Sequence, residues 1–223
     1  MPHVLTSADR QAIAEAIAEA ERSTAGEIYC IVARRSADYR EVPLAWAAGA
    51  ALLLPLVAVL LGWSPSWPTG WMAQSDRLPA ADAITAYAAL QALLFAAVAA
   101  LVSIPVLKAR LIPSGLKRAR VRRAALDHFL AKGLQNTEAR TGVLIYASLA
   151  EHRVEVVADQ TIHRQVDPDV WADAVEALTA ALRAGRPAEG FIQAVRLCGA
   201  VLADRFPPRP GDANELPDRL AEI

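Results

Sequence analysis

Cysteine is nearly absent from this chain: Cys30 and Cys198 are the two in 223 residues. Each sits in an apolar run, 28–32 and 195–202. Two buried free thiols are therefore expected rather than a disulfide framework. No C-x-x-C pair and no His/Cys spacing suited to zinc is present, which excludes zinc-finger and thioredoxin-type chemistry. Glycine-rich phosphate loops, the dinucleotide fingerprint and the G-x-S-x-G elbow are also missing. Their absence removes the commonest nucleotide-binding and serine-hydrolase classes. The first ten residues lack the basic start and early apolar core of an export signal, so the N-terminal segment is expected to stay in the cytoplasm. Finally, charge is missing from two long stretches, 42–75 and 83–107.

Those two stretches decide the class. The apolar part of each reaches the ~20 residues that cross a bilayer as a helix. Spans are expected at 44–63, with Pro55 inside, and at 84–107, with Tyr87 near one edge and Gln91 within. A neighbouring helix can absorb the hydrogen bond that Pro55 removes. Gln91 either bonds across to the first span or points into the bundle without a role. Trp63, Trp67 and Trp71 follow the first span as an interfacial aromatic belt would. Basic residues flank the pair. Arg34, Arg35 and Arg40 precede it; Lys108, Arg110, Lys117, Arg118, Arg120, Arg122 and Arg123 follow it with no acid among them. The connecting segment carries only Arg77, close to Asp76 and Asp82. The positive-inside bias puts both termini in the cytoplasm. The basic run is read as a patch for anionic lipid; no recognition helix or stacking pattern points to nucleic acid. Alanine and arginine abundance suggests a GC-rich bacterial source, and the expected location is the bacterial inner membrane.

The flanks read as soluble protein. Residues 6–23 form an amphipathic helix opened by a Thr6/Asp9 capping box,. Residues 27–33 form a short apolar strand. A basic-then-apolar helix is expected at 116–132, and a hairpin at 142–149 and 153–158 turning through Ala150-Glu151-His152. Further helices are expected at 171–184, opened by Asp167-Pro168-Asp169, and at 187–206. The N-terminal flank is too small to bury a core alone. One α/β (α+β) domain is therefore expected, with a small mixed β-sheet flanked by helices and an inserted two-helix transmembrane hairpin. Its parts are 1–43, the hairpin 44–107, 108–206, and a flexible Pro-rich tail 207–223. One internal echo stands out: Thr24 and Gly26 lead into Ile28-Tyr29 much as Thr141 and Gly142 lead into Ile145-Tyr146. Two helix-to-strand turns that both suit glycine account for it.

Glu27, Asp159, His163, Asp167 and Asp169 form the cluster that carries candidate chemistry. Glu27 starts one expected strand and Asp159 ends another, so the two approach if the strands pair. With His163 and Asp167 they have the donors for Ca²⁺ or Mg²⁺, which would polarise a phosphoryl oxygen or activate water. The other reading makes Asp167 or Asp169 a helix cap, Glu27 solvated and His163 a surface loop residue. Glu151 and His152 are expected to be solvated in their turn, and His128 to be half-buried.

The order of motifs resembles the TPM domain family, in its bacterial membrane-protein branch with an interrupted domain. The resemblance rests on Thr24-Ala25-Gly26-Glu27-Ile28, the apolar hairpin, Phe129-Leu130-Ala131, the run Arg140 to Tyr146, the run Glu151 to Val156, Phe191 and Ala194. It implies a sheet flanked by helices. Some such relatives are acid phosphatases or bind calcium; others act in photosystem repair or as receptor auxiliary subunits. Where the family usually carries a Gly-Tyr-Gly-like turn, this chain has Asp159-Gln160-Thr161-Ile162-His163, without either glycine. The expected function is binding of a membrane or cytoplasmic protein partner, or of a ligand, at the cytoplasmic membrane surface. A divalent-metal-dependent phosphatase-like hydrolase is the alternative. Self-association through Gly49 and the alanines of the first span is a further expectation.

Overall fold

A computed structural model describes residues 5–62, 80–137, 139–209 and 214–223. In chain order α1 (Ser7–Glu21) and β1 (Glu27–Ala33) precede α2 (Glu41–Leu60), α3 (Ala80–Val102) and α4 (Pro105–Leu111). Then come α5 (Ser114–Ala131), β2 (Gly142–Ser148), β3 (Arg153–Ala158), the one-turn α6 (Gln160–His163), α7 (Ala172–Arg183), α8 (Pro187–Arg205) and β4 (Leu220–Glu222). The chain forms two compact units: residues 1–37 with 115–223, and residues 38–114.

In the first unit, strand order is β3-β2-β1-β4. β1 runs parallel to both β2 and β4, and β2 antiparallel to β3. The sheet is therefore mixed. β1 and β2 are buried along their whole length, as parallel strands covered on both faces should be. Period-2 alternation assigns the faces. Ile28, Cys30, Val32, Val143 and Ile145 meet α1, α7 and α8; Tyr29, Ile31, Leu144 and Tyr146 meet Val121, Ala125 and Phe129 of α5. α1 starts with the Thr6/Asp9 capping box and buries Ile13 and Ile17. Fully burying such a side chain contributes about 1.5–3 kcal/mol. Cys30 and Cys198 are free and buried. Burial lifts the Cys30 thiol and pushes Cys198 up to about 12, so neither acts as a thiolate. A Cβ on Gly142 would lie 2.3 Å from the Leu134 carbonyl oxygen, which restricts the entrance of β2 to glycine. The two echoing segments enter neighbouring parallel strands. Thr24 Oγ1 donates to the Phe206 carbonyl and Thr141 Oγ1 to the Ala25 carbonyl, both buried.

Two expectations need correction. The tail is not wholly loose: Leu220–Glu222 adds a fourth strand, with Cys30 opposite Leu220. Ile223 N–H donates to the Val32 carbonyl and Arg34 N–H to the Ile223 carbonyl. An open edge of β1 supplies unpaired backbone groups, and the tail satisfies them. The second apolar helix does not run unbroken to 107. α3 stops at Val102 and α4 leaves it at 95°. Pro105 has no N–H to continue the ladder, and Ile104 before it takes extended angles (φ −60, ψ 125), as a residue preceding proline prefers.

In the second unit α2 is long and apolar enough to cross a membrane; the bent pair α3–α4 passes the same test if counted as one span. Pro55 lies inside α2 without ending it. Leu52, Leu53, Leu54, Leu56 and Leu60 are exposed, Leu60 at 77 %. Gln91 Nε2 donates to the Ala51 carbonyl at 3.3 Å and to Tyr87 Oη at 3.1 Å, so α3 reaches across to α2. At the foot, Trp46 Nε1 donates to the Leu111 carbonyl and Lys108 Nζ to the Asp38 carbonyl. Trp63, Trp67, Trp71 and Arg77 lie outside the described residues.

Candidate functional site

The parallel register brings Glu27 to one end of the sheet, opposite Gly142. Asp159 N–H donates to the Gly142 carbonyl at 3.0 Å, so Asp159 stands at the same end with one strand between. That separates the two α-carbons by about 10 Å. Glu27 is 8 % exposed. Its carboxylate accepts the backbone N–H groups of Glu215 and Leu216, both at 3.3 Å. Burial raises its pKa, the two amides lower it, and the acids Glu215 and Asp218 raise it again.

Glu21 closes the same cleft. Its Oε1 accepts the Ile28 N–H at 2.8 Å, and its carboxyl lies within hydrogen-bonding reach of the Asp218 side chain. Burial first, then the charges of Glu27 and Asp218, push Glu21 up to about 9. At neutral pH it holds its proton. The cleft, of about 420 Å³, is lined by Glu21, Glu27, Asp218, Arg22 and Arg209 among others. A second cleft of about 370 Å³ shares Arg209 with it and adds Thr141, Thr161, Gln165 and Arg205. This end of the sheet thus offers a neutral acid, further carboxyl groups, hydroxyls and guanidinium groups. Such a set can grip a polar ligand or a peptide backbone.

The remaining expected ligands have other duties. Asp159 Oδ1 accepts the Thr161 N–H at 2.8 Å and caps α6. That one-turn helix occupies the place of the glycine turn. Asp167 Oδ1 accepts the Asp169 N–H at 2.9 Å, and the pair opens a 3₁₀ turn across Pro168–Trp171. His163 ends α6 and is exposed. Among the described residues, no group of three or more His, Cys, Asp or Glu is arranged to hold a metal ion. Glu27, Asp159, His163 and Asp167 are therefore not assembled into one ligand set. Glu27 accepts two amides, and Asp159 and Asp167 each cap a turn through Oδ1.

The opposite end of the sheet holds a polar network that composition did not reveal. Glu151, expected to be solvated, is 8 % exposed. It accepts the Ser36 N–H at 3.2 Å and the Ser148 hydroxyl. Ser36 Oγ and Tyr146 Oη lie 3.0 Å apart. The turn that folds Glu151 back places exposed His152 at φ 48. His128 stacks on Tyr146, ring centroids 5.9 Å apart. Burial raises Tyr146 and lowers His128. Ser148 is fully buried and donates to a carboxylate, so it ties the turn down rather than attacking a substrate.

The basic run divides between the units. Lys108 and Arg110 belong to α4; Lys117, Arg118, Arg120, Arg122 and Arg123 belong to α5. Arg118, Arg120, Arg122 and Arg123 are exposed. Arg122 and Arg118 draw down the pKa of half-buried Glu155, which burial raises, so part of this charge answers an acid on β3.

Sequence reasoning missed Glu21, Asp218 and the Ser36–Tyr146–Ser148–Glu151 network. Glu21 had a signal: it continues the stripe Ile13, Ile17 at four-residue spacing, an acid where an apolar side chain is due. Asp218 had none, because its position depends on β4.

Residues 111–201 match the TPM domain family. The match begins after the apolar pair and ends before β4. No curated protein matches the chain. Among solved structures, it is similar to the NMR structure of the BA42 protein from the psychrophilic bacterium Bizionia argentinensis, at 18 % identity and a TM-score of 0.58, covering 100 % of this chain and 98 % of that one. At that identity the likeness shows a shared fold.

Proposed function

We propose that this chain is a bacterial inner-membrane protein whose TPM-like domain recognises a protein partner or ligand at the cytoplasmic surface of the bilayer. The observation that carries the reading is the apolar pair α2–α3, which leaves leucines exposed and interrupts an otherwise water-compatible α/β unit. An exposed apolar surface of that extent finds its cover in lipid. Basic residues on both sides of the pair put the termini in the cytoplasm. Anionic lipid draws the exposed arginines of α5, and the two clefts at the Glu27 end of the sheet supply polar recognition. Divalent metal is not required in this reading.

The test is alkaline extraction of membranes carrying the full chain, followed by protease treatment of sealed spheroplasts. The chain should remain in the membrane pellet, and both ends should survive until the cells are opened. Release by alkali, or trimming of either terminus in sealed cells, overturns the reading. The alternative, a divalent-metal-dependent phosphatase-like hydrolase, is favoured only by Glu27 and Asp159 sharing one end of the sheet. Purified protein should show no turnover of a generic phosphomonoester with Mg²⁺ or Ca²⁺ and no thermal shift on metal addition. Activity abolished by chelator, by Glu27→Ala and by Asp159→Ala would establish the enzyme instead.

A further inference from the structure

We propose that α4 is an interfacial helix, lying in the plane of the bilayer with its exposed apolar start at the acyl boundary and its exposed Arg110 on an anionic headgroup phosphate. The inference rests on the membrane reading above and adds the part of the chain that touches the lipid surface. Four observations carry it. First, α4 departs from α3 at 95°. A helix at right angles to a spanning helix runs along the membrane surface, since spans tilt by only about 20° from the normal. Second, the exposed side of α4 is mixed in the way an interface demands. Ile104 and Val106 are 48 % and 69 % exposed, and Arg110, one turn after Val106, is exposed as well. An apolar side chain can sink while the guanidinium one turn on reaches up to phosphate.

Third, the charge is of one sign. Residues 105–111 read Pro-Val-Leu-Lys-Ala-Arg-Leu, with two cations and no acid. That complements an anionic leaflet. Fourth, the bend is fixed. Lys108 Nζ donates to the Asp38 carbonyl and Trp46 Nε1 to the Leu111 carbonyl. Both bonds tie α4 to the start of α2, and Trp46 is itself half exposed, as an indole ring at an interface would be. The apolar surface of α2 and α3 thus continues into α4 without a break in chemistry, and the occupant that covers one covers the other.

Depth measurements decide it. Full-length protein carrying a spin label at Val106→Cys, or at Ala109→Cys as a second position, is placed in vesicles of phosphatidylcholine with phosphatidylglycerol. Leu53→Cys serves as the lipid control and exposed Asp173→Cys on α7 as the aqueous one. Cys30 and Cys198 are buried, so the parent protein should take up no label. Collision with oxygen against a water-soluble nickel chelate should place Leu53 deep, Asp173 in water and Val106 between them. If Val106 is as wet as Asp173 while Leu53 is deep, the inference fails and the membrane reading stands. A Val106 as deep as Leu53 also overturns it, because α4 would then continue the span. If Leu53 is wet, both readings fall. For the charge, brominated phosphatidylglycerol should quench a fluorophore at Val106→Cys several-fold more than brominated phosphatidylcholine at equal mole fraction. Arg110→Gln, which leaves the Lys108 bond to the Asp38 carbonyl in place, should erase the difference, and equal quenching in the parent would overturn the headgroup contact.

Discussion

Glu21 shows what a single buried carboxyl does to this fold. Its pKa stands at about 9 in the folded chain against 4.5 as the ordinary value. The folded state therefore holds a proton that the unfolded state has released. Stability from this group is complete below about pH 4.5 and is lost as pH rises toward 9. Thermal melts of the parent should fall steadily between pH 5 and pH 9, and Glu21→Gln should flatten the curve. At pH 8 the variant should be the more stable by up to about 5 kcal/mol; an unchanged slope would contradict the burial. Glu27 works differently, as a receptor for two backbone amides. Glu27→Ala should cost about 2 kcal/mol and speed hydrogen exchange at Glu215 and Leu216 selectively. Gly142→Ala should be worse than either, because its Cβ meets a backbone oxygen that has no room to yield,.

At the scale of elements, proline sets the break between α3 and α4. Replacing Pro105 by alanine restores a donor and frees Ile104 to become helical. Labels at Leu93→Cys and Arg110→Cys would stand about 26 Å apart along a continuous helix. The parent should give a clearly shorter distance, and Pro105→Ala should lengthen it toward that value. A single long distance in both proteins would contradict the bend. The edge strand β4 is the other element that matters. Removing residues 220–223 uncovers the backbone of β1 at Cys30, Ile31 and Val32. That truncation should lower stability and promote self-association through the open edge, measured by melting and by size-exclusion chromatography.

For the whole molecule, the decisive question is whether the two flanks of the apolar pair fold as one body. β1 lies between β2 and β4, so the sheet needs both flanks. Replacing residues 38–114 by a flexible linker should leave a soluble protein that melts cooperatively. An aggregated or unfolded product would show that residues 38–114 are needed for the rest of the chain to fold.

Much of this was legible in residue order because short-range physics governs it. The Thr6/Asp9 box, the α5 helix, the β2–β3 hairpin and the apolar pair each depend on spacing within a few residues. The three-dimensional arrangement decided what depends on distant partners. The pairing of Leu220 with Cys30, the amides of Glu215 and Leu216 on Glu27, and the burial of Glu151 join positions that carry no local signal for one another. Asp159 was placed at the correct end of the sheet by strand pattern alone, yet its role as a cap for α6 came from local backbone geometry that only the packed chain defines. Hydropathy and periodicity thus determined which segments form the core and which leave long apolar faces exposed. Which carboxyls hold a proton, which hold a backbone, and where the second apolar helix turns were set by neighbours brought together through folding.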